Sequence, residues 1–306
     1  MAALSAAHLL VDRIERAVQT DVGRNIGALF AASQGGLLHA ARELAAAEPC
    51  RVGLITGFYV PQGDPPAAET DGPVGTALLA RGLADIGVPC RLATDESCRR
   101  TCTVALAAAG AAAVPVDAVA VADPLDGLIE IWRQAGITHA VSIERCGRSA
   151  DGAPRNMRGQ DIAARTAPLD DLFTAGPWDT IAVGDGGNEI GMGALPRALI
   201  VEHVAHGETI ACVTPAHHLI VAGVSNWGAY ALLGALAVLR PARRAPLLAC
   251  LDEALDRKIL ETTVADGPAV DGVSLRRALT VDNLDIAIHH AKLREIRALA
   301  EGAHAL

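Results

Sequence analysis

Four short segments gather carboxylates, guanidinium groups and glycines more densely than a folded core needs. The first runs from Thr56-Gly57-Phe58 through Pro61 and Pro65-Pro66 to Glu69-Thr70-Asp71-Gly72-Pro73. Proline suits the first turn of a helix, so Asp71 or Gly72 falls near a helix cap. Glu69, Thr70 and Asp71 together, at the end of a long loop facing that helix, also suit ligand binding. The second is Ser142-Ile143-Glu144-Arg145, continuing through Arg148, Asp151, Asn156, Arg158 and Asp161. A guanidinium there can clamp a substrate carboxylate with two parallel hydrogen bonds, or pair with Glu144 to hold the loop.

The third segment is Gly184-Asp185-Gly186-Gly187-Asn188-Glu189-Ile190-Gly191-Met192-Gly193. It looks like a phosphate loop but fails the dinucleotide pattern, because Glu189 stands where the third glycine belongs and would repel a pyrophosphate. Close backbone approach with two carboxylates flanking Asn188 suits a hydrated Mg2+ or Mn2+, or general acid–base work. The fourth, Ala222-Gly223-Val224-Ser225-Asn226-Trp227-Gly228, opens a helix for which Ser225 or Asn226 is a good N-cap. Such a cap can also donate to a ligand.

Composition narrows the classes. The 306 residues carry 26 Lys+Arg against 35 Asp+Glu, a net charge of −9, so neither a nucleic acid nor an anionic membrane surface is the expected partner. Only Lys258 and Lys292 are lysines; no Gly-Lys-Ser/Thr loop exists, and a pyridoxal Schiff base has almost no candidate. ATP, pyridoxal phosphate and NAD are therefore not expected. No Gly-x-Ser-x-Gly elbow is present, and the histidine pairs, including His217-His218 and His289-His290, read as surface or loop residues. Seven cysteines, an odd number, suit reduced thiols. Asp12 and Glu15 interrupt the first apolar stretch before a secretory core forms, so a cytoplasmic protein is expected. The longest apolar runs, residues 104–114 and 231–239, are too short to span a bilayer.

The elements that must position these segments alternate between two periods. Helical spacing marks residues 4–19, 37–47, 74–86, 95–109, 125–135 and 190–204, and short β-prone runs mark 52–56, 90–93, 116–121, 140–143, 180–183 and 210–213. After Ser225 the chain reads as wholly helical. Apolar strands alternating with helices predict a mostly parallel sheet covered by helices on both faces, a Rossmann-like three-layer α/β arrangement with helical N- and C-terminal extensions. No linker or repeat divides the chain, so residues 1–306 read as one domain. Functional loops should leave the C-terminal ends of the strands.

In order and spacing, the four segments, with Asn156-Met157-Arg158-Gly159 in the second, resemble the D-glutamate cyclase C-terminal domain family. The likeness runs from about Asp21 to the last helix, and the ten-residue glycine run is its most specific part; Cys146 departs from it, standing where proline is expected. The resemblance implies a hydro-lyase that converts D-glutamate to 5-oxo-D-proline and water. The α-amine must then be neutral and the side-chain carboxyl electrophilic, so a base, an acid and an oxyanion stabiliser are needed, the last supplied by donors or a divalent metal. Asp185, Glu189 and Glu144 are the catalytic candidates. Glu69 and Asp71, shared with Asp185, are the candidate ligands for Mn2+ or Mg2+. Substrate contacts are expected from Thr70, Gly72, Arg145, Arg148, Asn156, Arg158, Gly186, Gly187, Asn188, Ser225 and Asn226. The expected partner is a small acidic amino acid, with a homo-oligomer as the candidate assembly. Two alternatives stay open: a lactam or lactone hydrolase using the same carboxylates, and a non-catalytic module binding an acidic ligand.

Overall fold

A computed structural model describes residues 6–302. Six strands form its main sheet: β1 (Val52–Ile55), β2 (Cys90–Asp95), β3 (Val116–Val119), β4 (His139–Ile143), β5 (Asp179–Gly184) and β6 (His218–Val221). They lie in the order β3-β2-β1-β4-β5-β6, every pair parallel. The order reverses between β1 and β4, where Val52 pairs with His139 and Ile55 with Ser142. Connections leaving these two strands diverge, and a crevice opens above their C-terminal ends.

Alternation along the strands splits the core in two. Leu54, Val141, Ile143, Ile181, Val183 and Ile220 face one apolar cluster, while Ile55, Ala140, Ala182 and Leu219 face the other. The second face is covered by α5 (Asp126–Gln134) and α6 (Leu169–Thr174), with Trp132 and Phe173 fully buried. The first face carries α3 (Pro73–Asp85), α4 (Arg99–Ala109) and α7 (Ser225–Leu239). Every residue of α7 from Ser225 to Val238 is buried. A helix apolar on all sides must be enclosed, and α1 (Ala6–Val18), α2 (Gly36–Ala46), α8 (Arg244–Cys250) and α9 (Ile286–Glu301) pack around it. The predicted three-layer α/β architecture is the one observed. Residues 4 and 5, expected to open the first helix, lie outside the described residues.

Three expectations need correction. Residues 190–204 are helical only at Arg197–His203, because Gly191 takes φ 102° and its N–H donates to Thr214 O instead of continuing a helix. The apolar run at 210–213 ends a helical turn (Gly207–Ile210) and is followed, not formed, by a sheet strand, which comes at His218. Residues 266–285 are not helical. They hold a hairpin of Thr280–Val281 and Leu284–Asp285 whose turn residues, Asp282 and Asn283, both have positive φ, 54° and 60°. Asp and Asn tolerate that conformation because their short polar side chains can hydrogen-bond locally.

Candidate active site

The crevice is closed above β1 and β4 by two helix N-termini that cap each other. Asp71 Oδ1 accepts from Asn226 N at 2.7 Å and Asp71 Oδ2 from Ser225 N at 2.9 Å, so Asp71 caps α7. In return Asn226 Oδ1 accepts from Gly72 N at 3.0 Å and Gly75 N at 2.7 Å, capping α3. Both caps were expected within their own helices; each comes from the other. Gly72 has φ 90°, and a Cβ there would lie 2.6 Å from Thr56 Oγ1 and 2.9 Å from Glu144 Cβ, so any other residue would force this closure apart.

Glu144 sits at φ 45°, a conformation uncommon for a residue with a long side chain and one that clusters at functional sites. Its Oε2 accepts from Ser225 Oγ at 2.6 Å. Asp185, at the end of β5, accepts from Ser225 N at 3.1 Å. Asp71, Glu144 and Asp185 thus converge on one turn of α7, with a carboxylate oxygen from each within 4.8 Å of the others. The partial positive charge at the start of a fifteen-residue helix favours anions here.

Two residues that the sequence did not single out complete the site. Arg24 donates to Gly223 O at 2.8 Å and lies 3.3 Å from Asp185 Oδ2 and 2.9 Å from Asp282 Oδ1. Glu69 lines the same cavity. Five carboxylates, Glu69, Asp71, Glu144, Asp185 and Asp282, therefore surround one paired guanidinium. Burial pushes Glu69 well above the usual carboxylate range, and the Glu144 charge adds to it. Burial does the same to Glu144, reinforced by Glu189, and to Asp185 despite the opposing pull of Arg24. Burial and Asp282 raise Asp71 to about 7. For Arg24, burial, which disfavours its charge, is outweighed by Asp185 and Asp282, so it stays charged.

All of these groups but Asp71 border a cavity of about 330 Å3 lined by Arg24, Phe58, Glu69, Glu144, Asn156, Met157, Arg158, Asp185, Asn188, Gly272 and Asp282. No histidine or lysine among the described residues lines it. A larger cavity, about 570 Å3, lies at the N-terminal ends of β1–β3 between Arg51, Pro89, Arg91 and Pro115, but no carboxylate lines it. The carboxylates gather at the smaller one.

The remaining expected residues divide by what already occupies them. Glu189 is turned onto its own loop, accepting from the backbone N–H groups of Asp185 (2.8 Å), Gly186 (2.6 Å) and Gly187 (2.7 Å). Those N–H groups are thereby consumed. Asn188 lines the cavity while its Nδ2 donates to Arg155 O at 2.9 Å. Arg145 is buried in a two-pronged pair with Asp95 and also donates to Gly57 O (2.8 Å) and Ala167 O (2.6 Å). Arg148 pairs with Asp170 and Asp171. Neither is placed to clamp a ligand in this cavity. Arg158 does line it, exposed at the rim, and Asn156 shapes its loop by accepting from Arg158 N and Gln160 N. Thr70 Oγ1 donates to Thr280 O at 2.9 Å, tying the first segment to the 280s hairpin. His289 and His290, expected at the surface, are buried behind α7.

The donor set suits a hard divalent cation. Carboxylate oxygens, an excess of buried negative charge and an unpartnered Glu69 Oε1 are what Mg2+ or Mn2+ sites are made from. Asp71, Glu144 and Asp185 are the residues that could hold one; Glu69, expected as a ligand, is not among the three that converge.

Comparison with known proteins gives the chain a family. The chain is 33% identical over 254 residues to the human protein "D-glutamate cyclase, mitochondrial", covering 78% of this chain and 40% of that relative, so it spans about two fifths of the relative's length. A family profile described as "D-glutamate cyclase-like, C-terminal" matches residues 14–297, which includes every residue of the crevice. The chain belongs to the D-glutamate cyclase-like C-terminal family.

Proposed function

We propose that the crevice is the active site of a lyase that closes D-glutamate to 5-oxo-D-proline. The observation that carries this reading is the convergence of Asp71, Glu144 and Asp185 at the N-terminus of α7 in a chain of this family. In the reaction the α-nitrogen forms a bond to the side-chain carboxyl carbon, a C–O bond breaks, and water leaves. Asp71 and Asp185, each fixed by backbone N–H groups, would hold Mn2+ or Mg2+. A bound divalent cation would supply the Lewis acidity that makes a carboxylate electrophilic.

Proton movement falls to a carboxylate, since no histidine or lysine among the described residues lines the cavity. Glu144 is held by the Ser225 hydroxyl on the cavity wall. In two successive transfers it takes the two protons that the ammonium nitrogen loses and delivers both to the departing oxygen, which leaves as water. Arg158 at the rim is the cation for the α-carboxylate, and Arg24 fixes Asp185 and Asp282. Glu189 serves indirectly, by folding the glycine run that presents Asp185. A reducing compartment, the cytoplasm in the first instance, belongs to the same reading, as all seven cysteines are free thiols. Purified protein incubated with D-glutamate and Mn2+ should release 5-oxoproline; no turnover of either enantiomer, with or without metal, sinks the reading.

A further inference from the structure

Two carboxylate oxygens in the crevice have no hydrogen-bond partner: Glu69 Oε1 and Asp282 Oδ2. Both belong to side chains more than nine-tenths buried, Glu69 at 7% exposure and the Asp282 side chain at 6%. Both residues line the cavity, and neither is among the three carboxylates that converge on α7. Native structures leave few buried acceptors unsatisfied, and an ionised one is the costliest to strand.

Their placement is built, not incidental. Residues 267–285 form a strap across the first segment, joined to it by Val270 N donating to Ala68 O at 3.0 Å and Thr70 N to Val270 O at 2.9 Å. Asp271, fully buried, shapes the strap by accepting from the backbone N–H groups of Val273, Ser274 and Asn283 and from Thr280 Oγ1. The strap brings Gly272 so close to Glu69 that a Cβ there would stand 2.0 Å from Glu69 Oε2. It also turns Asp282 so that Oδ1 meets Arg24 and Oδ2 stays unpaired.

We propose that Glu69 and Asp282 form a subsite for the ammonium group of the substrate, resting on the functional reading above. An alkylammonium carries three N–H donors and a full charge that favours the ionised, acceptor-only form of a carboxyl beside it, so the two orphaned oxygens supply two of the three partners it needs. A second divalent cation fits less well, since it demands about six oxygen ligands and Arg24 already holds the Asp282 edge. The substrate class is an amino dicarboxylic acid with a free primary amine. One carboxylate points to the Asp71–Glu144–Asp185 set and the other to Arg158. An N-acylated analogue, with one N–H and no charge, is excluded.

Isothermal titration of the full chain in Mn2+ with D-glutamate and with glutarate, the same diacid without the amine, tests the subsite. Wild type should prefer D-glutamate by about tenfold or more, the worth of a charge-assisted hydrogen bond. Glu69→Gln and Asp282→Asn should each shrink that preference while glutarate binds as before. Equal affinity of wild type for the two ligands overturns the subsite without reference to any variant. Variants that keep the full preference, or that weaken both ligands alike, overturn it too. Formation of 5-oxoproline without discrimination removes the subsite alone; binding of neither ligand removes the functional reading with it.

Discussion

Glu189 and Glu69 are both buried glutamates beside one crevice, and they are treated oppositely. Three backbone N–H groups converge on Glu189, and both terminal nitrogens of the nearby Arg145 are held by Asp95 and two carbonyls, leaving only its Nε without a partner. Glu69 has an orphaned oxygen, three acidic neighbours and a share in one arginine. The difference separates scaffold from function. On the proposed reading, the glutamate whose hydrogen bonds are complete holds its loop, whereas the crevice carboxylates left with an unpartnered oxygen take a ligand.

The sharpest way to break this comparison is to remove chemistry from the unsatisfied side. Glu144→Gln should lower kcat by about 10²–10⁴-fold, the usual worth of a general acid–base group, with the melting temperature close to wild type. On the satisfied side, Arg145→Met should leave Asp95 buried without its partner and cost about 3–5 kcal/mol in urea unfolding. An Arg145→Met protein of native stability would show that the pair is not structural.

Smaller effects separate the two glutamates. Glu189→Gln exchanges an acceptor-only carboxylate for an amide whose NH2 faces backbone donors, and should destabilise by about 1–3 kcal/mol. Without added metal, Glu69→Gln removes a buried charge crowded by others and should leave stability unchanged or raise it, by up to about 1 kcal/mol. If Glu69→Gln proves the more damaging to stability, the comparison is inverted.

The packing behind α7 gives a pH dependence. Trp227 Nε1 donates to His289 Nδ1 at 2.9 Å; His289 Nε2 then donates to Tyr230 Oη at 2.8 Å, and the Tyr230 hydroxyl donates to Asp256 Oδ1 at 2.5 Å. Burial lowers the His289 pKa below its usual value of 6.5. The unfolded chain therefore takes this proton first, and the contribution of His289 to stability is complete above pH about 6.5 and falls below it, by at most about 1.4 kcal/mol per pH unit. The crevice carboxylates act in the opposite sense, because their raised values let the folded state take up protons first. The gap in urea midpoint between wild type and His289→Gln should thus narrow as pH drops from 7.5 to 5.5; a constant gap would contradict the buried neutral ring. The smallest effect is expected at the reciprocal cap, where Asn226→Ala should cost about 1 kcal/mol of stability.

Five of the six strands of the main sheet were legible because they are short apolar runs between helical periods, and the parallel, doubly covered architecture follows from that alternation; the sixth, His218–Val221, was expected at 210–213. The crevice carboxylates Glu69, Asp71, Glu144 and Asp185 were legible as polar groups at strand ends and a helix start. Arg24 and Asp282 were not. Each sits in a short turn that reads as ordinary surface, and only their pairing across the fold shows their purpose. The helix expected over 190–204 failed for a related reason. Apolar residues there, such as Ile190 and Met192, are buried by a loop wrapped over the second core, which periodicity cannot distinguish from a helix face. Reciprocal capping was invisible because sequence places a cap beside its own helix.

The central claim, that the unsatisfied crevice performs the chemistry, is tested most directly by 5-oxoproline release from D-glutamate in Mn2+, measured for wild type and Asp185→Asn side by side. The account predicts steady release by wild type and about a hundredfold less or lower from a folded Asp185→Asn protein. Equal rates for the two, or no product from wild type, would contradict it.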